Sequence, residues 1–365
     1  MKCSIKSDLI KKALRILSPY ESLRLPVSLK VQSDSIVLKL FDGIKFTTLS
    51  FSADVEREGE VIFAARYLKY LDGISEDSVV LQKYKDYLSF KGVGEFKIPF
   101  SSESEPCVPD TKPVGSVTTE LPEFKGLFRK VAFAAGSDGT GDDMGYDFRC
   151  IMLECSDSLR AVATDQRVFA VASIPKGSLY RGTFNLPRAG VNALTKVGGE
   201  MITLSFFENA IGFSSSDIDM HCDIYIPEST MFLHKFEDIL AVEGKTTLTG
   251  EKSVFQSVLS FMRKVDSYEL EIRMDYGSNY AKRQPRFYVR ETEGANAECY
   301  ASGLDWKGEE LKIKVNSKTL SDAIDRAEDG PVVICFTNDR SPYSLEDKTG
   351  RYKVILSSYS PAERR

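Results

Sequence analysis

A chain of 365 residues, 42% hydrophobic and 28% charged, has the composition of a globular protein and the length for two or three domains. No apolar run approaches the roughly 18 residues of a membrane span, and the charged start MKCSIKSDLIKK lacks a signal-peptide core, so a cytoplasmic protein without membrane attachment is expected. The net charge of −5 speaks against nucleic acid held by bulk attraction, so any basic surface has to be local.

Taken in chain order, the elements repeat. The first amphipathic helix, SDLIKKALRIL, carries Leu9, Ile10, Ala13, Leu14 and Leu17 as an apolar stripe, with Lys11, Lys12 and Arg15 opposite. EVIFAARYLKYLDGISEDSVVLQ, from Glu60, reads as strand, helix, Gly/acidic turn and strand, and its helix shows Arg66 and Lys69. The Pro/Ser-rich SSESEPCVPDTKPVG is a linker ending near Gly115. In LPEFKGLFRKVAFAA, Phe124, Leu127, Phe128 and Val131 face inward while Lys125, Arg129 and Lys130 face out. GTFNLPRAGVNALTKVGGEMITLSF, from Gly182, repeats the strand–helix–turn–strand pattern and shows Arg188 and Lys196. GEKSVFQSVLSFMRKV buries Phe255, Val258, Leu259 and Met262 and shows Lys252, Arg263 and Lys264. LKIKVNSKTLSDAIDRAEDGPVVICF is the third copy of the pattern, with Lys318 and Arg326. Ser7 and Asn316 are predicted N-caps, and Pro122 and Pro187 predicted first helical residues.

Six helices at a spacing of about sixty residues predict an α+β chain of three similar domains, each with two helices and two antiparallel sheets. The boundaries fall at 1–115, 116–244 and 245–365. The helices are mildly basic and the remainder acidic. A solvated helix face explains most such cations. Their repetition on six related helices points instead to one continuous positive lining, suited to sparse, sequence-independent phosphate contacts.

The run RCIMLECSDSLRAVATDQRVFAVASIP, from Arg149 to Pro175, resembles the DNA sliding clamps of the bacterial DNA polymerase III beta subunit family, as a divergent member. There a strand pair ends in Ala-Thr-Asp, here Ala163-Thr164-Asp165, before a small hairpin turn. FNLPRAGVNALTKVGGEMITLSF, the N-terminal helix with its Arg24-Leu25-Pro26 loop, and KFEDILAVEGK extend the likeness over the chain. The resemblance implies a non-catalytic processivity factor, lacking exonuclease activity and needing no cofactor or metal. It implies a homodimeric head-to-tail ring around double-stranded DNA, with the helices lining the hole. The DNA-facing residues would be the cations named above together with Arg24 and Tyr146. Phe96 and Ile98 match edge-strand positions at the family's dimer interface. A hydrophobic cleft for short peptides of the polymerase, clamp loader and repair proteins would use Phe148, Thr164, Val168, Phe169, Val242, Ile355 and Leu356. The sequence departs from the family where Gly-His-Arg-Leu is replaced by Gln166-Arg167-Val168-Phe169, and where the C-terminal Met-Pro-x-Arg-Leu is replaced by Ile355-Leu356-Ser357-Ser358-Tyr359. A reshaped cleft is therefore expected.

Other chemistry finds little support. Seven scattered cysteines without a CxxC spacing read as reduced, free thiols, and two histidines do not make a zinc site. No GxxxxGK[ST], GxGxxG or HExxH occurs. The acidic loop GSDGTGDDMGYDF, with Asp142 and Asp143, has Arg149 where a calcium loop beginning at Asp138 needs its bidentate Glu. Ser215 has no nearby base but His221. Two rival readings remain: a clamp-like adaptor that gathers partner peptides without encircling DNA, and a metal-dependent hydrolase built on the acidic loop.

Overall fold

The computed structural model describes residues 1–17, 25–41, 45–71, 77–92, 94–102, 113–136, 148–177, 180–195, 197–207, 210–215, 219–225, 240, 244–265, 269–275, 284–290 and 296–358. Helices α1 (Ser7–Leu17), α2 (Leu121–Val131), α3 (Arg188–Leu194), α4 (Lys252–Met262) and α5 (Ser317–Arg326), with the 3-10 helix Ala65–Leu71, each begin where a strand ends. The six leading strands are Lys2–Lys6, Gly59–Ala64, Gly115–Glu120, Gly182–Pro187, Thr246–Glu251 and Leu311–Asn316. The repeat seen in the sequence is a strand running straight into a helix.

Strand pairing follows a reciprocal rule. Lys2–Lys6, which leads into α1, pairs antiparallel with Ser78–Lys83, the strand after the 3-10 helix. Gly59–Ala64, which leads into the 3-10 helix, pairs with Pro26–Gln32, the strand after α1. The exchange recurs near the C-terminus: Thr246–Glu251 before α4 pairs with Pro331–Phe336 after α5, and Leu311–Asn316 before α5 pairs with Glu269–Met274 after α4. In the middle of the chain Gly115–Glu120 before α2 pairs with Met201–Phe206 after α3.

The chain divides into two compact units. The first comprises residues 1–125, 154–159 and 175–228. Its five-stranded sheet runs Asp54–Arg57, Lys2–Lys6, Ser78–Lys83, Tyr87–Lys91, Glu95–Pro99, and an eight-stranded sheet runs from Gly115–Glu120 to Gly59–Ala64. The second comprises residues 126–153, 160–174 and 229–365. There the strand Val168–Ile174 pairs with Tyr352–Leu356, and a four-stranded sheet runs Asn296–Tyr300, Arg286–Arg290, Glu269–Met274, Leu311–Asn316. Sheets run through both expected boundaries: Asp219–Tyr225 pairs with Lys45–Ser52, as Val168–Ile174 does with Tyr352–Leu356. Compactness therefore reports two units, whereas the strand exchange is complete near both ends of the chain and has one matching pairing in the middle.

The apolar stripes lie where helical periodicity puts them. Phe124, Leu127, Phe128 and Val131 of α2 and Phe255, Val258, Leu259 and Met262 of α4 are all buried. In α1, Ile10, Ala13, Leu14 and Leu17 are buried and joined by Ile16, while Leu9 is only half-buried. The Tyr352 hydroxyl donates to the Ala323 carbonyl at 2.9 Å and fastens α5 to the sheet beneath it.

Four local expectations need correction. Residues 65–71 form a 3-10 rather than an α-helix, because Ala65, Leu68 and Leu71, its buried side chains, recur every third residue. Helix α3 is short, with Gly190 in its interior and the Thr195 hydroxyl bonded back to Asn192 O at its end. Pro187 is the last strand residue before α3, and Pro122 the second residue of α2. Ser7 is inside α1 rather than capping it: its N–H bonds Asp77 O, and its buried hydroxyl has no hydrogen-bond partner among the described residues. Asn316 does cap α5, its side-chain oxygen accepting from the Thr319 N–H at 3.0 Å.

Cys3, Cys150, Cys155, Cys299 and Cys335 are free thiols; Cys107 and the Cys222 side chain lie outside the described residues. Burial lifts the Cys155 thiol to about 12 and the Cys3 thiol to about 11.

Asn316→Ala is expected to cost about 1 kcal/mol, measured by urea unfolding of the second unit. Iodoacetamide at pH 8 should leave Cys3 and Cys155 unmodified in the folded protein, as read by mass spectrometry, because so little thiolate exists. Their modification should require urea.

Candidate functional site

The cations of the helices separate into two groups by their exposure. Lys12, Arg66, Lys69, Arg129, Arg188, Arg263, Lys264 and Lys318 are exposed, and Lys11 is half-buried. Arg66 and Lys69 lie over the rings of Tyr67 and Tyr70 at 5.0 and 5.2 Å, Lys264 lies 5.9 Å from the Phe261 ring, and Arg263 donates to the Ser321 hydroxyl at 3.1 Å. Each head group keeps access to solvent, as phosphate contact requires.

Four other cations are committed to the protein. Lys252 has a side chain only 14% exposed; it donates to the Ala327 carbonyl at 2.7 Å and pairs with Asp329 at 3.2 Å. That places a positive charge at the C-terminal end of α5, where the helix dipole favours it. Lys125 donates to the Val197 carbonyl just beyond α3, the same device in the first unit. Lys130 pairs with Glu328 at 2.6 Å. Arg326 donates to the Asp322 carbonyl and covers the Phe133 ring at 4.6 Å. Spacing along a helix cannot separate Lys125, Lys130 and Lys252 from the exposed ones, because their partners come from other elements; only Arg326 pairs within its own helix, with Asp322. Arg24, Tyr146, Lys196 and the Arg15 side chain lie outside the described residues.

The two edge-strand positions part company. Phe96 is 39% exposed on Glu95–Pro99, the edge of the five-stranded sheet, and stacks on Tyr70, itself 46% exposed. Ile98 is 1% exposed, two residues along on the strand, and belongs to its own core. The surface at this edge is aromatic, contributed by Phe96 and Tyr70 rather than by Ile98.

The Ala-Thr-Asp signature is a turn-forming device. The Asp165 carboxylate accepts from the Arg167 and Val168 N–H groups at 2.9 and 2.8 Å, and Thr164 Oγ1 accepts from Gln166 N at 3.1 Å. These bonds reverse the chain into Val168–Ile174 and hold Gln166 at a φ of 75°, a left-handed conformation that glycine adopts without strain.

Phe169 stands opposite Ile355, and Val168 opposite Leu356, in the antiparallel pair. Neighbouring residues of a strand face opposite sides. Phe169 and Ile355 therefore share one face, and Val168 and Leu356 occupy the other. Phe169 and Ile355 form a compact apolar group with Met152, Val162 and Val171, and Leu240 packs against it. Thr164, two residues from Val162, stands on the same face by alternation. Phe148 is buried, and Val242 lies outside the described residues. The residues expected at the cleft thus fall on two faces of the strand pair, and the apolar group on the Phe169 face also contains Met152, Val162 and Val171, with Leu240 against it. A two-residue step from Phe169 or Thr164 would have found Val171 and Val162.

For the rival chemistry, the loop carrying Asp138, Asp142 and Asp143 lies outside the described residues, as do His234 and the His221 side chain. Its base is closed by Gly136 N–H donating to Phe148 O at 2.8 Å. Ser215 donates to the Gly198 carbonyl at 2.6 Å, a backbone tie rather than a nucleophile's geometry. Among the described residues no helix is long and apolar enough to cross a membrane.

No protein-family model and no curated protein matches the sequence. Solved structures do. A DNA polymerase III beta subunit from Thermotoga maritima superposes with a TM-score of 0.85 at 15% identity, covering 98% of this chain and 99% of that one. A putative DNA polymerase III beta subunit from Eubacterium rectale gives 0.85 at 14% identity, covering 99% and 100%. A Pseudomonas aeruginosa sliding clamp bound to griselimycin gives 0.84 at 16% identity, covering 99% of each chain. The chain is α+β and has, over nearly its whole length, the fold of the DNA polymerase III beta-subunit sliding clamps.

Proposed function

We propose that the chain is a DNA processivity clamp: two copies join head to tail into a ring of six domains that surrounds duplex DNA. The observation that carries the reading is the strand exchange around paired helices, complete near both ends of the chain and matched by one pairing in its middle, in a chain that matches sliding clamps from end to end. Encirclement converts weak phosphate contacts into a lasting link, so the protein needs no catalytic group and acts as an accessory to a polymerase. The three domains are 1–115, 116–244 and 245–365, and the aromatic edge at Phe96 and Tyr70 supplies one side of the joint between copies. The apolar face around Phe169 and Ile355 holds short peptides of the polymerase, loader and repair proteins and keeps them at high local concentration near DNA.

The exposed cations, Lys12, Arg66, Lys69, Arg129, Arg188, Arg263, Lys264 and Lys318, are the DNA contacts in this reading. Lys125, Lys130, Lys252 and Arg326 serve the protein's own packing. Such sparse contacts give weak, salt-sensitive binding, which suits a sliding ring. The commitment of those four cations also favours the rival, an adaptor that gathers peptides without enclosing DNA.

Topology separates the two. Loaded onto circular DNA, the protein should remain bound and be lost when the circle is cut; retention on linear DNA or failure to load removes the clamp reading. Its solution mass should be twice 40.8 kDa. Arg129→Ala and Lys264→Ala should each weaken DNA association and lower the salt-dependence slope by about 1, without changing the unfolding midpoint. Lys252→Ala should do the reverse, lowering stability and leaving the slope unchanged.

A further inference from the structure

The apolar face around Phe169 is already covered by the chain itself. Leu240 packs against Met152, Val162, Phe169, Val171 and Ile355, all of them buried. Two separate contacts bring that part of the chain onto this face. Lys353 Nζ donates to the Leu240 carbonyl at 2.7 Å. At Gly244 the backbone comes so near that a Cβ would stand 2.7 Å from Cys335 Cβ and 2.9 Å from Phe336 N, so a side chain there would collide.

Both anchors belong to the same side of the sheet. Lys353 is opposite Val171 on one neighbouring strand and Glu346 on the other. Cys335 pairs with Ser344, Ser344 with Ile355, and Ile355 with Phe169. Side chains directly opposite one another share a face, so Cys335, Lys353 and the apolar group lie together. Lys353 thus borders the apolar group, and its ammonium reaches across to hold the backbone of the residue that covers it.

We propose that Leu240 is an intramolecular occupant of this face, held in place by Lys353, and that a partner peptide bearing leucine or phenylalanine binds by displacing it. The inference rests on the reading of this face as a peptide site. A half-buried leucine already packed there competes directly with an incoming apolar anchor. The apparent affinity of the partner falls with the fraction of time the face is uncovered. Lys353 sets that fraction without touching the peptide's anchor, which makes it a positioning residue. Its charge-assisted bond to a carbonyl is a tie that arginine can make and methionine, of similar length and apolar stem, cannot.

The test uses the full chain and two probes: the neutral apolar dye Nile red, and a short fluorescein-labelled peptide carrying a glutamine followed by leucine and phenylalanine. Lys353→Met and Leu240→Ala should raise Nile red fluorescence severalfold and tighten peptide binding about tenfold. Lys353→Arg should behave as the unaltered protein, and unfolding midpoints should agree across the set. Unchanged dye fluorescence in Lys353→Met, or weaker peptide binding, overturns the inference, because Leu240 and Lys353 would then be building the site rather than filling it. Dye fluorescence that rises while no variant takes the peptide upholds Leu240 as the occupant and overturns the peptide-site reading instead. Ile355→Asp, which puts a charge in the apolar group, should abolish peptide binding even when combined with Leu240→Ala.

Discussion

Every described feature depends on one constraint: a helix that starts directly at the end of a strand, and whose next strand belongs to a different sheet. The strand before α1 lies in the five-stranded sheet and the strand after it in the eight-stranded sheet; the 3-10 helix makes the return journey. Helices α4 and α5 do the same between the two sheets that they connect. With no linking residues at the junction, the helix direction is set by the strand that precedes it. The apolar stripe must then turn toward the sheets, and the opposite face, where the cations sit, must turn away. Backbone pairing between the two halves of each repeat therefore decides the orientation of the helix surface.

That surface is more divided than its composition suggests. A lysine stem covers apolar area while its head seeks an acceptor, and helix C-termini offer unpaired carbonyls. Lys252 and Lys125 find such carbonyls beyond α5 and α3. Lys130 and Arg326 find Glu328 and Asp322. A buried or paired cation holds elements together, and an exposed one is available to a phosphate. The same residue type in the same periodic position thus meets either protein or solvent, and its surroundings decide which.

The apolar face shows the same dependence on neighbours. Met152, Val162, Phe169, Val171 and Ile355 are far apart in sequence and meet only because Tyr352–Leu356 pairs with Val168–Ile174. The turn made by Thr164 and Asp165 sets the start of that pairing, which is why a short motif at the turn is recognisable although the surface it organises is not. A shift of register by one residue would exchange Phe169 and Ile355 for Val168 and Leu356 and turn the whole set to the other side.

Much of this protein was legible in its sequence for physical reasons that act locally. Apolar periodicity located α1, α2, α4 and α5, and nearly all of the buried side chains of α1, α2 and α4, because a helix must bury one stripe whatever it packs against. The cap at Asn316 and the turn at Asp165 were readable because a side chain bonds its own backbone a few residues away. What tertiary structure alone decided was pairing: that Ile98 faces a core while Phe96 stays exposed, that Lys252 holds α5 while Lys318 meets solvent, and that Leu240 lies on Phe169. Each of those outcomes is set by a partner distant in the chain, and the period of a strand or helix says which residues share a face but not what that face will meet.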